Sequence, residues 1–331
     1  MATLTDDLAG EYRALTQGCG LIDRSERGKL ALTGTERKSF LAGQVTNDIE
    51  GLAPGGGCYA AFLTHKGKML GDLRVLDVED DGGDEPEPTL LLDTDRATLQ
   101  ALFDLVRRFK IGYDVELHKR TVQRGLLSLV GPGARAVAAA EAVGVDEHGH
   151  RPGAIAGHAV RLIATDAGVD VLCEADATED VRAALRAAGA TPVSEDAAEI
   201  VRVESGRPRY GVDVDAATIP QEAGLNARAV SFTKGCYVGQ ETVARLFYRG
   251  KPNRHLRGLR LSEPVATGAE LRLGERTVGK VATSLVSPTH GPIALALVRR
   301  EAAPGDTIGV GVGVGDGDGT TALVVELPFS A

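Results

Sequence analysis

The rhythm of the chain changes at Leu256, and that change limits the possible folds more than any single motif does. From there onward, short apolar runs recur about every 8 to 12 residues, separated by glycine turns and without helical periodicity. This is the pattern of a small β-barrel, expected over residues 251–331. The Val/Gly run from Ile308 to Gly319 reads as a strand ending in a Gly/Asp-rich turn. It is not a nucleotide loop, because no lysine follows it and no helix opens after it.

Ahead of Leu256, helices and strands alternate. Strands are expected at Gly28–Thr33, Cys58–Thr64, Met69–Val78, Leu90–Asp93, Tyr113–His118, Gly125–Val130, His158–Ala164 and Val169–Cys173. Helices are expected at Thr35–Gln44 with Thr35 as cap, Asp95–Arg108, Gly131–Val143, Thr178–Ala188, Ser194–Glu204 and Tyr237–Phe247. Asp80–Pro88 is an acidic Gly/Pro loop. Long parallel-sheet runs are missing, so the class is α+β rather than doubly wound.

The formal charge is −9 and no dense Lys/Arg cluster offsets it, which argues against a nucleic-acid partner. The modest basic stretch Arg245–Arg260 is either a solvated surface or a site for a polyanionic tail. No apolar run approaches the roughly 20 residues of a membrane-spanning helix. The acidic start, Met1–Asp7, lacks the order of a signal peptide, so a cytosolic location is expected. Cys19, Cys58, Cys173 and Cys236 lie far apart without a C-x-x-C pair, against a stably held zinc or iron–sulfur centre and against disulfides. His148-Gly149-His150 reads as a loop.

One run concentrates chemical potential: Lys234-Gly235-Cys236-Tyr237-Val238-Gly239-Gln240-Glu241. With a helix opening at Tyr237, Cys236 would sit at the positive end of its dipole and beside the Lys234 ammonium, both favouring a thiolate. A lone cysteine is usually inert core filler, but two flanking glycines admit close approach of another group.

The same run resembles the signature of the YgfZ-type folate-binding proteins, relatives of the glycine-cleavage aminomethyltransferase (T-protein). Matches to that family extend to Val203–Gly211, Ile219-Pro220-Gln221-Glu222-Ala223 and Tyr248-Arg249-Gly250. They also include Gln44-Val45-Thr46-Asn47-Asp48, Lys66-Gly67-Lys68-Met69 and the tail Leu327-Pro328-Phe329-Ser330. The resemblance implies three domains around a central hole that binds tetrahydrofolate or a one-carbon-substituted folate. It implies a discontinuous α+β domain of 1–50 plus 116–250, an inserted domain of 51–115 and the barrel of 251–331.

By the same resemblance, Glu204 and Arg202 form an Arg-x-Glu-x-Gly element apt for pterin, whose two parallel N–H donors suit a carboxylate; the plain alternative is a surface ion pair. The T-protein's further pterin-holding Glu run is absent, and Asp166 or Asp170 stands near its place. The T-protein's Asp-Asp-Leu step reads Gly71-Asp72-Leu73 here, so one acid is missing. Asp72 is either a base for one-carbon chemistry or the partner of Arg74 on the same strand face. Asn47, Asp48, Tyr59, Gln221, Tyr237 and Gln240 complete the expected ligand contacts, with turn-making and core packing as their bland alternatives. The functional expectation is a folate-binding accessory factor for iron–sulfur enzymes that uses Cys236, Lys234 and Asp72. Open beside it are a folate-dependent aminomethyl or one-carbon transferase and a docking module for a client enzyme.

Overall fold

The computed structural model describes residues 6–78, 87–311 and 319–330. In chain order it runs α1 (Asp6–Gln17), β1 (Gly20–Asp23), β2 (Gly28–Thr33), α2 (Arg37–Gln44), β3 (Gly57–Leu63), β4 (Met69–Val78), β5 (Thr89–Thr94) and α3 (Leu99–Phe109). Next come β6 (Glu116–Lys119), β7 (Arg124–Val130), α4 (Ala134–Val137), β8 (His150–Ile155), β9 (His158–Ala164) and β10 (Gly168–Glu174). Then follow α5 (Thr178–Ala187), β11 (Thr191–Pro192), α6 (Glu195–Glu204), α7 (Asn226–Ala229) and α8 (Gln240–Arg249). The last strands are β12 (Arg254–Leu261), β13 (Glu270–Leu273), β14 (Arg276–Ser287), β15 (Gly291–Arg299), β16 (Thr307–Val310) and β17 (Thr321–Val325).

The chain divides into two compact units. The first, Arg13–Val193 with Asn226–Gln240, stacks four layers. A five-stranded sheet, β3-β4-β5-β2-β6, and a six-stranded sheet, β11-β1-β7-β10-β9-β8, form its middle. Among the described strands only β1 and β11 pair in parallel, in keeping with the α+β class.

Side-chain alternation along each strand explains the stack. Leu30, Leu32, Leu73, Val75, Leu90 and Leu92 face Phe40 and Leu41 of α2 and Leu102 and Val106 of α3. Their sequence neighbours Ala31, Leu76 and Leu91 face the other sheet and meet Leu126, Ile163 and Leu172. Covered on both faces, these strands read as unbroken apolar runs such as Leu90-Leu91-Leu92.

Polar groups also sit in that middle layer. Arg74 of β4 bonds Asp93 of β5 and Asp170 of β10, each at 2.6 Å, so one guanidinium ties the two sheets together. Arg27 Nε adds a 2.7 Å bond to Asp93, and Ser128 Oγ donates to Asp170 at 2.6 Å. Removing either partner from such a buried network strands a charge, which costs far more than the pair itself contributes.

The second unit, Met1–Tyr12, Ser194–Leu225 and Glu241–Ala331, holds the barrel. As the strand rhythm predicts, β12-β15-β14-β13-β16-β17 close into a six-stranded ring around Leu259, Leu271, Val281, Ala296, Val298 and Val324. Val203 of α6 packs with Leu256, Leu295 and Phe329, and Ser194 caps α6 by accepting from Ala197 N at 3.3 Å.

Some local expectations are corrected. Thr35 does not cap α2; its hydroxyl donates to Asp114, and α2 begins two residues later. The Ala-rich helix expected to Val143 is a single turn, broken where Ala139 turns left-handed at φ 50°. Residues around His150, read as loop, open a sixth strand of the larger sheet. Helix α3 starts at Leu99 rather than Asp95, and α8 at Gln240 rather than Tyr237. Most of the acidic loop and of the Gly/Asp-rich turn lie outside the described residues.

Candidate functional site

The site is built where the Gln44–Asp48 run meets the segment Asn226–Lys234. Thr46, fully buried, exchanges backbone bonds with Ala61 and Ser231, and its hydroxyl donates to Ala229 O at 2.6 Å. Asn47 Nδ2 donates to Tyr59 O at 2.8 Å and Arg228 O at 3.2 Å, while its Oδ1 accepts from Asp48 N. Asp48 Oδ1 accepts from Gly51 N at 3.0 Å and closes a turn. These side chains therefore pin β3 and α7 side by side.

Asp72 and Tyr59 lie on that frame. A register break between Phe62 and Leu63 precedes Asp72, which pairs with Ala61 and shares its face with Tyr59. The Tyr59 phenol lies near the Asp72 carboxyl and favours its charged form. Burial pushes the Asp72 carboxyl above the ordinary carboxylate value, and Asp95 adds to the rise; Tyr59, Arg27 and Arg228 oppose it without cancelling it. Arg74 does not pair with Asp72, because it is held by Asp93 and Asp170. Arg228 covers the Tyr59 ring, 4.3 Å from its centroid, and is itself held by Glu147. The sequence reading missed Arg228 and Arg27, which come near Asp72 only through folding, and Glu147, which holds Arg228.

The glycine-flanked thiol is arranged differently from expectation. Cys236 is exposed, four residues ahead of the first residue of α8. The Lys234 ammonium is turned inward onto three carbonyls at the end of α2: Ala42 O at 2.5 Å, Val45 O at 2.8 Å and Asn47 O at 2.9 Å. It thus caps the negative end of that helix. Burial lowers its value from 10.5 to about 8, and Asp48 and Cys58 oppose that shift. The thiol that feels this ammonium is Cys58, which burial nevertheless pushes up to about 12. Tyr237 is buried beneath Lys234, 5.0 Å from ring centroid to Nζ, and burial raises its phenol to about 12. Gly239 sits at φ 85° with a Cβ position 2.5 Å from Thr64 O, so only glycine seats this run on the β3–β4 turn. Gln240 is the first residue of α8 and half-buried.

The remaining expected contacts belong to the second unit. The Glu204 carboxylate accepts from Tyr12 Oη at 3.1 and 3.0 Å and from Ser287 Oγ at 2.5 Å. Arg202 has its donors engaged: Glu199 on two nitrogens at 2.7 Å, Asp213 at 2.7 Å, Arg207 O, and Thr283 at 3.3 Å. A ligand at Arg202 would have to displace one of these. Gln221 Oε1 is buried without a hydrogen-bond partner, an acceptor still open. Of the two acids weighed as replacements for the missing pterin Glu, Asp170 has both oxygens bonded, to Arg74 and Ser128, whereas Asp166 is exposed and electrostatically coupled to Arg228.

The GCVT N-terminal domain matches residues 2–234, and the glycine cleavage T-protein C-terminal barrel domain matches 254–330. The chain belongs to the glycine cleavage T-protein family. It is 31% identical to an aminomethyltransferase of Synechococcus sp. over 92% of this chain and 85% of the relative. A putative chloroplastic transferase of Arabidopsis thaliana is 27% identical over 96% of this chain and 73% of its own length. The crystal structure of the glycine cleavage system aminomethyltransferase T from Bartonella henselae superposes with a TM-score of 0.84. It covers 98% of this chain and 89% of that one at 21% identity, a likeness of fold. No helix among the described residues is long and apolar enough to cross a membrane.

Proposed function

We propose that this member of the T-protein family binds tetrahydrofolate, or a one-carbon-substituted form of it, at Asp72. The observation that carries the reading is that Asp72 and Tyr59 share one face of the β3–β4 pair, beneath Arg228, with the carboxyl raised by burial. Such a carboxyl exchanges a proton with a ring or bridge nitrogen more readily than an exposed one does. Asn47 holds the backbone of Tyr59 and Arg228, and Arg228 covers the ring, so the pair is preorganised. Calorimetry under anaerobic conditions tests this: tetrahydrofolate should bind wild type at micromolar strength, and at least about tenfold more weakly to Asp72→Asn. Wild type that fails to bind, or a variant that binds as well, ends the reading.

Within the family, the role proposed is that of a cytosolic accessory factor for assembly or repair in iron–sulfur enzymes, as the YgfZ resemblance implies. The glycine-flanked Cys236 is exposed and open to a protein or cluster partner, and Gly71 replaces the first acid of the transferase step. Deletion of the gene should lower iron–sulfur enzyme activities, with rescue by wild type and not by Cys236→Ala. Equal rescue by both removes this role.

The raised Asp72 carboxyl favours a second reading, folate-dependent aminomethyl or one-carbon transfer. It requires turnover of an aminomethyl donor with tetrahydrofolate that is abolished in Asp72→Asn.

A further inference from the structure

Arg228 offers more than a cover for Tyr59. Its Nε and Nη2 fork onto Glu147, with Nε–Oε2 at 3.1 Å, which occupies one edge of the planar guanidinium. The Nη1/Nη2 edge makes no hydrogen bond among the described residues. That edge presents two parallel N–H donors, the geometry that a carboxylate accepts. Arg228 and Glu147 are each about a quarter exposed (24% and 25%), so a ligand can reach them.

His148 stands beside this pair under unusual conditions. It is 6% exposed, neither ring nitrogen has a hydrogen-bond partner, and its backbone is left-handed at φ 71°. Buried imidazoles are ordinarily satisfied. Nε2 lies 3.4 Å from Glu147 Oε1, the same oxygen that Arg228 Nη2 holds. The charges around the ring are Arg74 of β4 and Arg228 of α7, which oppose a proton, and Glu147 and Asp170 of β10, which favour one. Burial is the largest influence, and Arg74 and Arg228 add to it, so the imidazole is held neutral, its value lowered to about 4. A second carboxylate on the free edge of Arg228 changes that balance. Two anions then share one guanidinium, and the nearest group able to supply the missing positive charge is His148.

We propose that Arg228 captures a carboxylate of the ligand and that this capture is coupled to uptake of a proton by His148, which then shares Glu147 with Arg228. The proposal rests on the folate reading above and deepens it: the carboxylates of a folate are on its glutamyl portion, so that portion is the group assigned to Arg228. No bond other than N–H is made, and the proton comes from solvent.

Two measurements test it. In the first, the whole protein is titrated calorimetrically with folinate, a stable reduced folate, at about pH 6 in buffers of differing ionisation enthalpy. About half a proton or more should be taken up per ligand bound by wild type, none by His148→Gln, and none when a counterpart whose glutamyl group is replaced by a neutral amide stands in for folinate. Folinate binding without uptake, uptake that persists in His148→Gln, or equal uptake with the neutral amide overturns the coupling while leaving folate binding intact. Failure of folinate to bind removes the folate reading and the glutamyl assignment together. The second measurement needs no ligand: the His148 ring nitrogens are titrated by NMR in wild type and Arg228→Gln. The value should rise measurably from about 4 once Arg228 no longer holds Glu147, while burial and Arg74 keep it below the ordinary range. A value unmoved in Arg228→Gln overturns the sharing of Glu147 whatever the ligand is.

Discussion

Replacing Lys234 with methionine separates two roles that sequence adjacency alone confuses. If Lys234 activated the thiol two residues on, Lys234→Met would slow alkylation of Cys236 and leave stability nearly unchanged. The structure gives the opposite expectation, because the ammonium bonds three carbonyls at the end of α2. Three charge-assisted bonds at a net of about 1 kcal/mol each amount to about 3 kcal/mol. Burial of the ammonium, discounted for its contact with solvent, offsets roughly 2 kcal/mol of that at neutral pH. The expected loss near neutral pH is about 1 kcal/mol, which lowers the urea midpoint by roughly 0.3–0.5 M.

The same substitution carries a signature in pH. Lys234 holds its proton more weakly folded, at about 8, than unfolded, at 10.5, so its contribution makes stability rise between those values as pH increases. Lys234→Met should flatten that rise. Urea melts at several pH values, together with Cys236 alkylation rates, decide the matter. A variant of unchanged stability whose Cys236 alkylates severalfold more slowly would refute the capping argument.

Two further outcomes concern the frame of the site. Arg74→Met should cost about 3–5 kcal/mol in chemical denaturation, because Asp93 and Asp170 both lose their shared partner inside the protein; a loss below about 1 kcal/mol would show the network to be dispensable. Gly57→Ala should destabilise by about 2–4 kcal/mol, since its Cβ would lie 2.7 Å from Val75 O and 2.8 Å from both His148 O and Leu76 Cδ2. An unchanged melt would mean that the loop yields more easily than these distances allow.

Elements with strong periodicity were legible in the sequence. The barrel followed from evenly spaced short strands, and β2 and β9 have the limits that alternation predicts. Strand β8 was obscured because Pro152 and Gly153 interrupt its pattern, although it is tolerated at the sheet edge. The Ala-rich run after Gly133 leaves its helix at Val137 although Ala138, Ala140 and Val143 are buried beyond it, so high propensity alone does not carry the helix on. In the site, the residue types Asp72, Tyr59 and Asn47 were readable, whereas the direction of a long side chain was not. Lys234 reaches carbonyls about 190 positions away in sequence rather than its neighbour Cys236. Arg228 and Glu147 meet across 81 positions, and no local pattern announces such a pair.

The guanidinium of Arg74 acts as a bolt between layers, and it has a consequence for specificity of folding. A slip of β4 by one residue would turn Arg74 outward among the helices and bring Leu73 or Val75 opposite Asp93 and Asp170. Misregistered pairings are thereby excluded during assembly, and Asp72, two positions earlier on the same strand, is delivered to the correct side of the sheet by a charge that never touches it.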